Sequence, residues 1–257
     1  MDNRRQFSSR RWSDCNLKNF DGVEIMSQLD PKPGTRKDTY IRRKYLEDGR
    51  FPIGILLSMG LKSIVRDPLL LIVRYMPGPF GFKLRQIYYS RKLKHLGRGV
   101  LIDPGVEIPC PQNVILDDFS YIGRLAFLYA PEGFIKIGKR CHVSGTILGH
   151  GGVEIADYAA SGGNLFSVTD SHDGGYRMSG PMIPDEQRNL KMGRIFIGKD
   201  AFIGKDVIIM PGVNVGEGAV IGPFSFVFRD VSPWTVVIGN PVRKIAFRDR
   251  VKFSDID

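Results

Sequence analysis

The chain has 257 residues, 42% of them hydrophobic, with a formal net charge of +10; this excludes a wholly disordered protein and allows one large domain, or one domain plus an appendage. The charge is uneven: residues 1–99 hold 21 basic and 9 acidic side chains, a net of +12, whereas residues 100–257 hold 16 basic and 18 acidic ones. Three cysteines without CxxC spacing (Cys15, Cys110, Cys141) argue against a disulfide framework or a thiolate zinc site, and for a reducing, cytoplasmic setting.

In chain order, the N-terminus MDNRRQFSSRRWSD lacks the apolar core of a signal peptide. Residues 1–50, with Pro31-Lys32-Pro33-Gly34, read as a flexible basic arm, with a short helix near Thr39–Asp48. Residues 51–99 read as a helical appendage. Its longest apolar run, from Phe51 to Leu61, is interrupted by Pro52 and Gly54 and falls short of the roughly 20 residues that span a membrane. A basic helix is predicted from Phe82 to Leu96, carrying Arg85, Arg91, Lys92 and Lys94 and ended by Gly97 and Gly99. Aliphatic side chains beside Lys and Arg suit an anionic membrane surface, so residues 51–98 are expected to touch a membrane peripherally or to pack on the rest of the protein. Nucleic acid is the weaker partner, because no recognition motif accompanies the charge.

From Val100 onward the apolar period changes. Ile197, Ile203, Ile209, Val215, Ile221 and Val227 recur every six residues, and Gly198, Gly204, Gly216 and Gly222 each follow one of them. A helical period drifts out of phase within two turns. Each hexapeptide therefore reads as one side of a coil, with the aliphatic residue inward, the following glycine permitting the corner, and coils stacked about 4.8 Å apart. Earlier runs are Ile102 and Ile108; Leu116, Ile122 and Leu128; and Ile137, Val143, Gly149, Ile155 and Ser161. The repeat lapses between Ser161 and Ile195, and an extended loop is expected near 162–194, where long loops on rigid scaffolds usually carry function.

The run IGKDAFIGKDVIIMPGVNVGEGAVIGPFSFVFRDVSPWTVVIGNPVRKI resembles the hexapeptide-repeat acyltransferases, and NLFSVTDSH resembles the family segment that ends in the catalytic histidine. FKLRQIYYSRKLKHLGRGVLIDPGVEI is similar to the entry segment of polysaccharide O-acetyltransferases. The resemblance implies a mainly β fold, a left-handed parallel β-helix of hexapeptide repeats over 100–245, followed by a C-terminal tail over 246–257. It also implies a homotrimer, acetyl-CoA as acyl donor, no metal, and a sugar acceptor such as a surface-polysaccharide or lipid-linked glycan precursor. Other small acceptors (an amino sugar nucleotide, an amino acid, an antibiotic) and a non-catalytic trimeric scaffold are the alternatives.

On that reading His172 is the general base that takes the acceptor's hydroxyl proton, a role suited to imidazole near neutral pH. Asp170 or Asp173 fixes its ring, and transfer is direct, since no cysteine lies in the loop. Ser144, His150 and Asn164 are candidates on the acceptor side. Gly149-His150-Gly151 resembles the zinc-binding segment of gamma-class carbonic anhydrases, but residue 155, where that site needs a second histidine, is Ile. Phe202, Gly204, Lys205 and Ser225 are candidates along the coenzyme. Arg229, Arg243 and Lys244 are candidates for its phosphates. Pro223 departs from the family's usual glycine-rich corner and removes one backbone donor.

Overall fold

The computed structural model describes residues 68–170 and 190–250. The arm over 1–50, residues 51–67, Cys15, and the tail from 251 lie outside the described residues. Within them the chain is a parallel β-solenoid of three sheets, preceded by helical residues 68–75 and a helix Gly78–Ser90. The first sheet stacks the strands from His95–Leu96 to Asn214–Val215, the second those from Leu101–Ile102 to Arg243–Phe247, and the third those from Phe127–Tyr129 to Phe226–Val227.

The six-residue period is the stacking register. Ile197 pairs with Val215, Ile203 with Ile221 and Ile209 with Val227, each 18 residues on and each buried. Leu116, Ile122 and Leu128 fill the same three inward columns in an earlier coil. No hexapeptide buries its own aliphatic residue; the core exists only where coils stack.

Three sequence expectations need correction. First, the glycines after the inward residues do not supply positive φ. That conformation falls three residues after the inward position and is taken mostly by other residues: Phe119, Leu125, Arg140, Tyr158, Asp200, Asp206, Phe224 and Trp234. The glycines are there for close approach between coils: a Cβ at Gly198 would lie 2.5 Å from Glu217 N, and one at Gly216 2.4 Å from Pro233 N. Second, the helix predicted from Phe82 to Leu96 spans Gly78–Ser90, and His95–Leu96 is already a strand. Gly97 and Gly99 belong to the first coil's corner, where Gly97 fits against the backbone of Asp118 and Gly99 takes φ +67. Third, the inward residue after Val143 is Ile147, not Gly149, because the register matches Ile147 to Leu128. Likewise Leu165, four residues beyond Ser161, continues the column, so the solenoid runs on through Asn164–Phe166. Two consecutive coils thus have corners shortened by two residues.

Arg85, read from sequence as part of a basic surface, is fully buried. Its Nε donates to Ile102 O at 2.6 Å, and its Nη1 donates to Met76 O at 2.8 Å and Val73 O at 3.3 Å. With Tyr89 and Leu93 in the core, these bonds fasten the helical segment to the first coil.

On the first sheet's outer face Glu154 accepts from Lys136 (3.1 Å) and from Arg194. Burial alone would raise its pKa, but the two cationic donors outweigh this and hold it below the ordinary carboxylate value. A depressed folded-state pKa adds stability above the unfolded pKa, lost as pH falls through the folded one. Glu154→Gln is therefore expected to lower the melting temperature at neutral pH, and this deficit should vanish in acid, as read by thermal unfolding across pH.

Candidate functional site

The site is built on the corner where the third sheet turns into the first. Strand Asn164–Phe166 leads into Ser167, and then an antiparallel hairpin leaves the solenoid, with Val168 opposite Met192 and Asp170 opposite Leu190. Ser167 is buried and anchors the hairpin's root. Its hydroxyl donates to Leu148 O at 2.6 Å and accepts from Gly151 N at 2.9 Å, while Gly193 N donates to Ser167 O at 3.0 Å. A Cβ at Gly151 would lie 2.8 Å from both Gly193 N and Ser167 O, so only glycine fits under the root. Sequence reasoning missed Ser167 as the anchor; its phase relative to Leu165 is the signal that marks it as inward.

His150 stands on the adjoining turn of the preceding coil, edge-on to the Tyr129 ring at 5.3 Å between centroids. The sequence candidate is thus brought to the corner from which the hairpin leaves. Asp170 ends the outgoing strand of that hairpin. His172 and Asp173, together with 171–189, lie outside the described residues.

Two coils further along the same corner, on the order of 10 Å at the strand spacing, is Arg229. The chain crosses the end of the third sheet through a cis Asn240–Pro241 bond, with Phe226 N donating to Gly239 O at 3.1 Å. This crossing brings Arg243 to Arg229. Together with Phe228, Pro241 and Val242 they line a cleft of about 220 Å³. Among the described residues neither arginine is ion-paired, and the Arg229 guanidinium lies 4.8 Å from the Phe228 ring centroid. Lys244 does not join them; its Nζ sits 4.1 Å from the Phe247 ring centroid. Ser225 is buried, its hydroxyl donating to Gly222 O (2.7 Å) and accepting from Gly239 N (3.0 Å). It holds the crossing segment from inside the fold and lies off the cleft surface.

The remaining candidates occupy the opposite edge of the third sheet. Ser144 stacks beside Gly162, its N–H bonded to Ser161 O at 2.7 Å. Asn164 spends its Oδ1 on Thr146 N at 3.0 Å, which bridges the two shortened corners. Gly204 lies under Pro223, where a Cβ would come within 2.7 Å of the proline nitrogen, and Lys205 beside it is exposed. Phe202 is half-exposed on the second sheet, between Ala160 and Val220. Within one chain the width of the third sheet separates this group from the hairpin. The outer face of that sheet carries Phe127, Tyr129, Leu148, Phe166, Met210 and Phe226 alternating with the inward column, with Thr146 and Asn164 as its polar positions.

Cys141 is not a nucleophile at this site. It is buried, its thiol donates to Ala156 O at 3.0 Å, and burial pushes its pKa up to about 12.

Comparison with known proteins fits this architecture. Residues 194–229 match the family of bacterial transferase hexapeptides (six repeats). Over 148 residues the chain is 37% identical to a dTDP-4-amino-4,6-dideoxy-D-glucose acyltransferase of Escherichia coli, covering 56% of this chain and 73% of that one. Over 157 residues it is 28% identical to WcaF of Escherichia coli strain K12, provisionally named a colanic acid biosynthesis acetyltransferase, covering 61% and 70%. Among solved structures it is similar to AntD, an N-acyltransferase from Bacillus cereus in complex with dTDP and 3-hydroxybutyryl-CoA, with a TM-score of 0.60, 29% identity, and coverage of 65% of this chain and 89% of that one. The stacked register, the hairpin leaving the third sheet and these likenesses lead to one conclusion: the chain belongs to the hexapeptide-repeat transferase family.

Proposed function

We propose that the protein is an acetyl-CoA-dependent acetyltransferase that acts on a hydroxyl of a sugar, with a surface-polysaccharide or lipid-linked glycan precursor as acceptor. The observation that carries this reading is the pairing of Arg229 and Arg243 in a cleft on the corner that also bears the hairpin. Planar guanidinium groups suit phosphate oxygens, and the relatives are acyltransferases, one of them solved with an acyl-CoA. In the proposed step the acceptor oxygen attacks the thioester carbonyl carbon while His172 takes its proton. The tetrahedral intermediate then collapses, the carbon–sulfur bond breaks, and the imidazolium returns the proton to the leaving thiolate. Asp170 or Asp173 holds the other ring nitrogen.

A homotrimer is part of the proposal. Packing of the outer face of the third sheet against a neighbouring copy would bring the hairpin of one subunit towards the Ser144, Gly204 and Lys205 edge of the next. A second reading, N-acylation of a nucleotide-linked amino sugar, is favoured by the 37% identical relative and by AntD. Release of coenzyme A thiol, measured against matched hydroxyl and amine acceptors, separates the two readings. Lack of coenzyme A binding at millimolar concentration would favour a scaffold instead. Arg229→Ala/Arg243→Ala is expected to raise the KM for acetyl-CoA by at least about tenfold, the loss of one or two charge-assisted hydrogen bonds, with little change in kcat. An unchanged KM would place the coenzyme phosphates elsewhere.

A further inference from the structure

We propose that the helical segment preceding the solenoid is a docking surface for an anionic lipid bilayer. No Asp or Glu occurs between Asp67 and Asp103, whereas residues 68–98 hold seven Lys and Arg; Arg85 is buried and Arg74 pairs with Glu107 at 3.5 Å, which leaves Lys83, Arg91, Lys92, Lys94 and Arg98 exposed. Burial of Arg85 fixes which way the helix Gly78–Ser90 faces. Gly81, Arg85 and Tyr89 point into the protein. The opposite stripe, one helical turn per step, reads Phe80, Lys83, Ile87 and Arg91, with Phe80 68% and Ile87 44% exposed. The preceding helical residues repeat the pattern: Val73 is buried, while Leu69, Leu71, Ile72 and Tyr75 are each at least half exposed.

Large apolar side chains set among cations, with no carboxylate in the stretch, match the boundary between headgroups and acyl chains. The apolar groups enter the boundary, and the long basic side chains reach back to the phosphates. A protein partner of ordinary composition would be served by mixed charge; an anionic lipid surface is served by the absence of acid. No described helix is long and apolar enough to cross a membrane. The inference does not depend on the catalytic reading, because it is tested without turnover.

Sedimentation of the full-length protein with phosphatidylcholine vesicles, with and without phosphatidylglycerol, tests it. Binding is expected to the anionic vesicles only, and to weaken with salt. Two double variants, Phe80→Ser/Ile87→Ser and Lys83→Glu/Arg91→Glu, are each expected to lower the vesicle affinity about tenfold or more, with unchanged oligomer mass and melting temperature. Equal binding to neutral vesicles, or wild-type binding by both variants, overturns the proposal. A changed oligomer mass in the serine variant also overturns it, because the face would then be covered by a second copy. If the serine variant does not fold, the charge-reversal variant, altered only at exposed positions, decides alone.

Discussion

His172→Ala is expected to lower kcat for acetyl transfer by about a thousandfold, the middle of the range for loss of a positioned general base. The affinity for acetyl-CoA and the melting temperature should stay unchanged. The expectation rests on the order of the chain: a buried Ser167 roots the hairpin, Asp170 ends its outgoing strand, and His172 follows two residues later. At this point the solenoid's core is built from Leu165 and Ser167. Removing the His172 side chain should therefore cost chemistry and leave stacking intact. On the proposed mechanism the pH profile of kcat/KM should lose its acid limb in the variant, since only an unprotonated imidazole accepts a proton. Asp170→Asn and Asp173→Asn, compared side by side, should show which carboxylate orients the ring, through a smaller fall in kcat in only one of them. Undiminished turnover by His172→Ala would remove the general-base mechanism while leaving the Arg229–Arg243 cleft to be judged by its own variant.

The second large effect is on stability. Gly198→Ala adds one methyl group, yet its Cβ would stand 2.5 Å from Glu217 N and 2.7 Å from Gly216 C, both backbone atoms of the next coil. Backbone cannot rotate away as a side chain can, so the two coils must part or slide. The expected cost is about 3 kcal/mol, the upper end of overpacking losses in a close-packed interior. Gly212→Ala is the matching control: nothing lies within 4 Å of its Cβ, but its φ is +83. Only the left-handed conformation is then at stake, and about 1 kcal/mol is expected. Equilibrium denaturation of the two variants should reproduce this order. A Gly212 variant less stable than the Gly198 one would mean that φ, not approach, limits these corners.

This contrast shows where the sequence was readable. The six-residue spacing from Ile197 to Val227 encodes the register directly, because every inward residue stands above its counterpart 18 residues away. The reason for the glycines was not readable from one chain segment, since the clash they avoid is with the following coil. The shortened corners at Val143–Ile147 and Ser161–Leu165 were hidden for a similar cause. Gly149 and Ser167 also face inward, at the next position along the strand, and so kept the apparent phase. Arg85 was misplaced because a basic helix reads as a solvated one until backbone carbonyls from Val73, Met76 and Ile102 are seen to surround it. Arg229 and Arg243 were candidates by residue type alone, and their meeting depends on the crossing at Asn240–Pro241, which no periodicity reports. The distance between Ser144 and the hairpin was equally invisible, because both fall near the same coil in sequence order.

A ladder of equal rungs has no length of its own and could add molecules end to end without limit. Here the two terminal rungs are made unlike the rest. At one end a guanidinium occupies the carbonyl of Ile102 that another rung would need. At the other, Arg243–Phe247 runs antiparallel to Thr235–Ile238 and presents the opposite strand direction to any incoming parallel rung. Among the described residues, both ends of the second sheet are thereby made unlike the parallel rungs between them.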